Sequence, residues 1–227
     1  MATHLLHPRH PDHPAQADAT ETAGPPERGM EATPAVAAAS GIADPAALGL
    51  AAFAMTTMVL SIVNTGLIGV AAAPVVLSLA LVYGGAAQLL AGMWEFLRGN
   101  TFGALAFSSY GAFWIAYWIY ASYLLPGIVR AGEAKAATGL FLAAWAFFTG
   151  YMIVAALRVS LAVLGVFVLL FATFVVLAVG AYGDYATITK IGGWVGVATA
   201  LMAWYTSFAV VTNSTFKRTV MPVGSLA

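Results

Sequence analysis

Two long stretches of this chain contain no charged side chain. One runs from Pro45 to Trp94, and the other from Val159 to Gly183. An apolar helix needs about 20 residues to cross the hydrocarbon core of a membrane, so the first stretch has room for two crossings. Only 8% of all residues are charged, whereas about 25% is usual in a soluble domain. The sequence therefore predicts an all-α integral membrane protein that crosses the bilayer several times.

The apolar residues fall into six segments, each long enough for one transmembrane helix. Short connections between the segments favour a compact up-and-down bundle. Asp44 suits the N-cap of the first helix with Pro45 at its first position, whereas Pro126 and Gly127 indicate the end of the third helix. The predicted limits are Leu48–Val70, Val75–Leu97, Phe102–Leu125, Leu140–Leu157, Leu161–Tyr182 and Ile191–Val211.

The composition divides the chain into three zones. Residues 1–43 are rich in Pro, Ala and His and predict a disordered tail. Residues 44–215 hold the six-helix transmembrane domain, and residues 216–227 form a short C-terminal tail. An even number of crossings places both termini on one side. A small excess of Lys and Arg in the loops of that side favours the cytoplasm.

All four histidines lie in the N-terminal zone, three residues apart. On a helix, such a spacing could hold a metal ion. However, a proline directly follows each of the last three histidines and opposes helix formation. We expect a solvated tail here, with no metal site and no cofactor. The histidines are His4, His7, His10 and His13.

Several function classes lack the residues that they need. The chain has no cysteine, which excludes thiol catalysis, and no glycine-rich phosphate loop, which disfavours ATP-driven transport. Its formal net charge is zero, so we expect no nucleic acid as a partner. No histidine lies in the predicted bundle, and no nucleophile–base pair is visible. The sequence therefore indicates a protein that is not an enzyme.

The first predicted helix carries a polar face. Phe53, Thr57, Ser61 and Asn64 follow one another at helical spacing. A polar face with one aromatic side chain suits a narrow conduction path. The alternative is that the hydroxyl groups bond to the backbone or to a neighbouring helix, which is common in membranes. The sequence leaves both interpretations open.

The second predicted helix brings two polar side chains onto one small-residue face. Gln88 is expected near the middle of the bilayer, where its amide can both donate and accept hydrogen bonds. Glu95 lies near the end of the helix, three residues before Arg98. An interfacial ion pair between Glu95 and Arg98 is the favoured interpretation. A role for Glu95 in proton coupling is the alternative.

The start of the third predicted helix could meet an anion. Either Asn100 or Thr101 can cap this helix, whose free N–H groups would attract negative charge. Tyr110 lies farther along, beside two serines, and is a candidate residue of the path. The aromatic residues that continue the stripe are interpreted as packing or interfacial residues; they are Phe113, Trp114 and Tyr117.

Four motifs in the same order resemble the acetate uptake transporter family, which includes the bacterial succinate–acetate permeases. The resemblance covers about residues 44–224. The motifs are ADPAALGLAAFAMTT at Ala43–Thr57, YGGAAQLLAG at Tyr83–Gly92, GNTFGALAFSSYG at Gly99–Gly111 and FKRTVMPVG at Phe216–Gly224.

This resemblance implies a solute path within each six-helix subunit and a homo-hexameric ring. It implies acetate, related short monocarboxylates and in some members succinate as solutes. Phe53, Tyr110 and Leu170 stand at the positions of the family's hydrophobic constriction. One departure is Asp44, where the family usually has Asn. A negative charge at the mouth would repel a carboxylate, so Asp44 is either paired, or protonated, or alters how solute enters.

The leading hypothesis is therefore a cytoplasmic-membrane permease for acetate and related carboxylates. Either proton symport, with Glu95 as coupling residue, or channel-like anion flow would fit. The polar contacts expected along the path are Thr57, Ser61, Asn64, Gln88, Asn100 and Thr101. The alternative from another class is a membrane carboxylate sensor that signals through the N-terminal tail.

Overall fold

Six long helices make up most of the part of the chain that the structure describes. The structure, a computed structural model, describes residues 41–226. The predicted N-terminal tail, apart from its last three residues, and its four histidines lie outside this range. The predicted all-helical membrane fold is confirmed. The helices are α1 Ala46–Thr65, α2 Val75–Leu97, α3 Thr101–Arg130, α4 Ala134–Ala156, α5 Leu161–Gly183 and α6 Ala186–Phe216, each apolar enough to cross a membrane.

The prediction that Pro126 ends the third helix is wrong, because α3 continues to Arg130. A π-helical turn at Tyr120–Leu124 precedes the proline. Pro126 then falls in the first turn of the segment Leu125–Arg130, where its missing N–H removes no required helical hydrogen bond.

Helix α1 ends at Thr65 rather than at Val70, because Gly66 adopts a left-handed conformation that stops the helix. Helices α4 and α6 instead extend beyond their predicted limits into polar residues. Helix α4 begins at Ala134 rather than at Leu140, and α6 runs from Ala186 to Phe216 rather than from Ile191 to Val211. The added turn of α4 contains Lys135, whose Nζ lies 2.9 Å from Oδ2 of Asp184. Hydropathy alone predicts the membrane-embedded part of a helix, whereas the helix itself continues into the interface.

Close backbone contact joins α2 to α3. A Cβ atom on Gly92 would lie 2.5 Å from the backbone nitrogen of Ser108, and one on Gly111 would lie 2.6 Å from that of Leu89. Real Cβ atoms do not approach other atoms so closely, so glycine is required at both positions. A second π-helical turn, Val82–Ala87, precedes Gln88 in α2.

The segment after α6 folds back onto the start of α5. The N–H of Leu161 donates to the carbonyl of Gly224 at 2.7 Å, and the N–H of Ala162 donates to the carbonyl of Val223 at 3.0 Å. These bonds satisfy two donors in the first turn of α5. Asp44, ahead of α1, lines the same cavity as Val223. Both ends of the described range therefore lie at one face of the bundle.

Candidate functional site: a file of cavities through the bundle

Four cavities follow one another through the bundle, and each shares lining residues with the next. We call the cavity that contains Asp44 the first vestibule, with a volume of about 370 Å³. The first chamber contains Gln88 and measures about 90 Å³. The second chamber contains Thr57 and measures about 50 Å³. The second vestibule contains Thr138 and measures about 150 Å³.

The shared lining residues mark the boundaries between these cavities. Asn100 lines both the first vestibule and the first chamber. Phe53 and Leu170 line both chambers. Asn64 lines both the second chamber and the second vestibule. The four cavities thus form one file, and the wall between its two chambers is made by an aromatic and an aliphatic side chain.

Three helices bring Phe53, Tyr110 and Leu170 together at this wall. Phe53 comes from α1, Tyr110 from α3 and Leu170 from α5, and all three are buried. The rings of Phe53 and Tyr110 have their centroids 5.8 Å apart. Tyr110 lines the first chamber together with the other two residues. Phe53 and Leu170 therefore separate the chambers, and Tyr110 lies beside Phe53 on the side of the first chamber.

The first chamber is apolar except for a few side chains. Gln88 and Glu95 both line it, and they are 1% and 0% exposed. Within the described part of the chain, Oε1 of Gln88 and Oε1 of Glu95 have no hydrogen-bond partner. A buried polar atom without a partner is costly unless a ligand or water meets it. The chamber thus offers polar groups that the protein itself does not satisfy.

Glu95 is held mainly by Asn100. The amide Nδ2 of Asn100 donates to Oε2 of Glu95 at 3.0 Å, and its Oδ1 accepts from the N–H of Gly103 at 3.1 Å. Asn100 is therefore the N-cap of α3 and also fixes the carboxyl group that faces the first chamber. Thr101, the alternative cap, is exposed and lines none of the four cavities.

The charged pair at the first vestibule differs from the one that spacing favoured. Nη1 of Arg98 lies 2.7 Å from Oδ1 of Asp44 but 4.0 Å from Oε2 of Glu95. The predicted contact between Glu95 and Arg98 is thus the longer of the two. Oδ1 of Asp44 also accepts from the N–H of Ala46 at 3.0 Å. Asp44 is therefore paired and caps α1, which answers the question raised by its negative charge.

The second chamber presents two unpaired hydroxyl or N–H groups. Among residues 41–226, Oγ1 of Thr57 and Nε1 of Trp114 are buried without a hydrogen-bond partner, and both side chains line this chamber. Ser61 and Asn64 line it as well. Trp114 was predicted to be a packing residue. One feature of the sequence could have indicated that Trp114 lines the path: it lies one helical turn after Tyr110, on the same face of α3.

Residues 28–227 match the model of the GPR1/FUN34/yaaH family. The chain belongs to this family. It is 41% identical over 198 residues to acetate permease A of Emericella nidulans. The alignment spans 65% of the length of that protein. It is 37% identical over 185 residues to the succinate-acetate/proton symporter SatP of Escherichia coli K12, of which it spans 96%. These alignments cover 80% and 81% of the chain.

The fold is also that of a solved relative. The structure of the bacterial acetate channel SatP matches with a TM-score of 0.73 and 34% sequence identity, over 81% of this chain and 99% of that one. These relatives are named for the transport or conduction of acetate, and together with the six apolar helices they indicate a multi-pass membrane protein. The comparisons do not favour the alternative of a carboxylate sensor.

Proposed function

We propose that this chain carries acetate and related short monocarboxylates across the cytoplasmic membrane, with succinate as a further solute. The observation that supports this most is the file of cavities, in which a wall of Phe53 and Leu170 separates two chambers with uncharged polar side chains. The names of the relatives supply the solute class. The role of the file follows from the chemistry of a small carboxylate.

A short carboxylic acid has a pKa near that of the Asp and Glu side chains, so almost all of it is anionic at neutral pH. The anion crosses lipid slowly and needs hydrogen-bond donors along its way. Fixed positive charges in mid-path would hold it too tightly to release it. In the two chambers the solute instead meets the amide of Gln88 and the hydroxyl groups of Thr57 and Ser61.

Each candidate residue has a proposed place on this route. Asn100 is the contact between the first vestibule and the first chamber, and Asn64 is its counterpart on the other side. Phe53, Tyr110 and Leu170 form the constriction, which admits a solute only after most of its water has been shed. Thr101 has no part in this proposal because it is exposed.

Uptake of labelled acetate into liposomes that contain the purified protein tests this function. Uptake should exceed that of empty liposomes, should saturate, and should fall across a series from acetate to longer or branched acids. We expect this size dependence because the chambers are small, about 90 and 50 Å³. Uptake equal to that of empty liposomes at acidic and at neutral pH would contradict the proposal.

We further propose that Glu95 couples the flux to protons. Its carboxyl group is buried, faces the first chamber, and has one oxygen without a partner among residues 41–226. Burial of a charged carboxylate with an unmade hydrogen bond is costly, so a proton that comes with the solute would stabilise this group.

Glu95→Gln keeps the shape of the side chain and removes the proton site. We expect acetate uptake by this variant to lose its dependence on an imposed pH gradient. Glu133→Gln is the matched control, because Glu133 is exposed ahead of α4 and lines none of the four cavities. Gradient-driven uptake that survives in Glu95→Gln would exclude Glu95 as the coupling residue.

The assembly and the orientation complete the proposal. We propose a homo-hexamer with both termini in the cytoplasm, so that the first vestibule opens to the cytoplasm. Native mass spectrometry of the purified protein should give the mass of six chains.

A thiol introduced at Ser225, which lines the first vestibule, should react with an impermeant reagent only in inside-out vesicles. Reaction in intact cells would contradict this orientation.

A further inference from the structure

The hydroxyl group of Tyr110 forms a hydrogen bond with α4, a helix that contributes no residue to the constriction. Tyr110 on α3 and Thr149 on α4 join through their hydroxyl oxygens at 2.9 Å. Tyr110 is 3% exposed and Thr149 is fully buried. Thr149 lines none of the four cavities. It can therefore act on a solute only through Tyr110.

The direction of this hydrogen bond follows from the proton of Thr149. A threonine hydroxyl has one proton, and Oγ1 of Thr149 donates it to the carbonyl of Trp145 at 2.7 Å. Oγ1 of Thr149 then has only lone pairs for Tyr110. The phenol must be the donor, and its single proton points toward α4. The phenol proton is thus not available to a carboxylate in the first chamber.

Among the described residues, the side chains packed around the ring of Tyr110 are mostly aromatic. Four aromatic rings enclose its own ring. The centroid distances are 5.8 Å to Phe53, 5.4 Å to Phe148, 6.0 Å to Trp145 and 6.0 Å to Phe167. These rings offer no strong acceptor oxygen. If Thr149 lost its hydroxyl group, the phenol could turn toward the first chamber, which Tyr110 lines and where the solute passes.

We propose that Thr149 is a positioning residue for the constriction: it holds the phenol hydroxyl away from the solute, so that the carboxylate meets only the apolar part of Tyr110. This inference rests on the proposed transport of carboxylates. A constriction that offered a free phenol proton would bind the carboxylate and slow its release. Thr149 thus favours fast passage over tight binding.

The substitution Thr149→Val removes the acceptor and keeps the shape of the side chain. The phenol proton then turns to the carboxylate. Because one hydrogen bond contributes about 0.5–1.5 kcal/mol, we expect KM and maximal rate of acetate uptake each to fall by roughly two- to tenfold. Thr149→Ser keeps the acceptor and should resemble the wild type. A change in rate without a fall in KM would contradict the inference.

The matched control for the loss of a buried hydroxyl is Thr199→Val. Thr199 is also fully buried and donates to the carbonyl four residues earlier, Val195, at 2.9 Å. Its Oγ1 lies 3.1 Å from Oγ1 of Thr173, which donates its own proton to the carbonyl of Leu169. Its side chain lines none of the four cavities. Thermal unfolding in detergent shows whether each valine variant folds. A fall in KM that is equally large in Thr199→Val would show a general effect of buried valine and overturn the inference.

Repeating the Thr149→Val substitution in the Tyr110→Phe variant separates a loss of the phenol contact from a general effect on folding. Tyr110→Phe has no phenol proton, so Thr149→Val should have no further effect on KM in that background. An equal effect in both backgrounds would mean that Thr149 does not act through Tyr110. Acetate uptake by the wild type with an unaltered KM in Thr149→Val would contradict this inference alone. No uptake by the wild type would contradict the proposed function itself.

Discussion

The charge of Asp44 at the first vestibule leads to a sharp prediction. Asp44 pairs with Arg98 at 2.7 Å, and both side chains are about one-third exposed, at 38% and 30%. Asp44→Asn removes the negative charge and leaves Arg98 without its closest partner. An asparagine can still accept from the N–H of Ala46, so the cap of α1 is kept. The change therefore alters the charge at the mouth with little effect on folding.

The expected effect is a stronger attraction of the anionic solute. Two unit charges 4 Å apart in water interact by about 1 kcal/mol, which corresponds to roughly a fivefold change in affinity. An exposed pair contributes at most about 1 kcal/mol to stability, so the melting temperature should change little. We expect the KM for acetate to fall about two- to fivefold in Asp44→Asn.

The salt dependence of this effect separates charge from shape. The Debye length is about 30 Å at 0.01 M salt and about 3 Å at 1 M, so the difference in KM should be largest at low salt and should vanish at high salt. Zero-trans uptake of labelled acetate into liposomes at several salt concentrations measures it.

The control is Asp184→Asn. Asp184 pairs with Lys135 at 2.9 Å and lines none of the four cavities, so its substitution should leave the KM unchanged. An unchanged KM for Asp44→Asn at low salt would refute the reasoning, because it would mean that no anion passes close to Arg98. A fall that persists at high salt would point to a change of shape instead.

Three further changes have definite expected outcomes. Asn100→Ala removes the cap of α3 and the donor to Glu95, so we expect a loss of more than about 1 kcal/mol of stability, seen as a lower melting temperature; an unchanged melting temperature would contradict this. Trp114→Phe removes an unpaired buried N–H, so uptake of acetate should fall while the melting temperature holds; uptake as in the wild type would remove Trp114 from the path. Gly111→Ala forces a Cβ against the backbone of α2 and should lower the melting temperature, whereas Gly127→Ala, with only an arginine side chain 3.8 Å away, should not; equal melting temperatures would contradict the packing of α2 on α3.

The number of helices could be predicted because the membrane imposes a length on every apolar segment. The start of α2 at Val75 and of α5 at Leu161 agree with the prediction. The end of α3 could not be predicted in this way. Pro126 is a strong helix-breaking signal, but the π-helical turn that accommodates it depends on the local backbone and has no clear sequence signature.

The residues of the proposed path divide in the same manner. Gln88 and Glu95 could be selected because a buried polar group in a membrane helix is costly and calls for a partner. Leu170 had no such signal and came only from the family resemblance. Thr149 and Trp114 were not selected, since a threonine and a tryptophan in an apolar helix usually pack. Their roles depend on which face of a helix meets a neighbour, and that is set by the packing of the bundle.

The most direct test of the proposed path uses a thiol at the constriction. The chain contains no cysteine, so a single introduced thiol is the only target of a methanethiosulfonate reagent. Leu170 lines both chambers, whereas Val168 on the same helix is 46% exposed on the outer surface of the described bundle. Modification of Leu170→Cys should block acetate uptake, with acetate slowing the reaction, and modification of Val168→Cys should not. Complete modification of Leu170→Cys with undiminished uptake would contradict the proposed path.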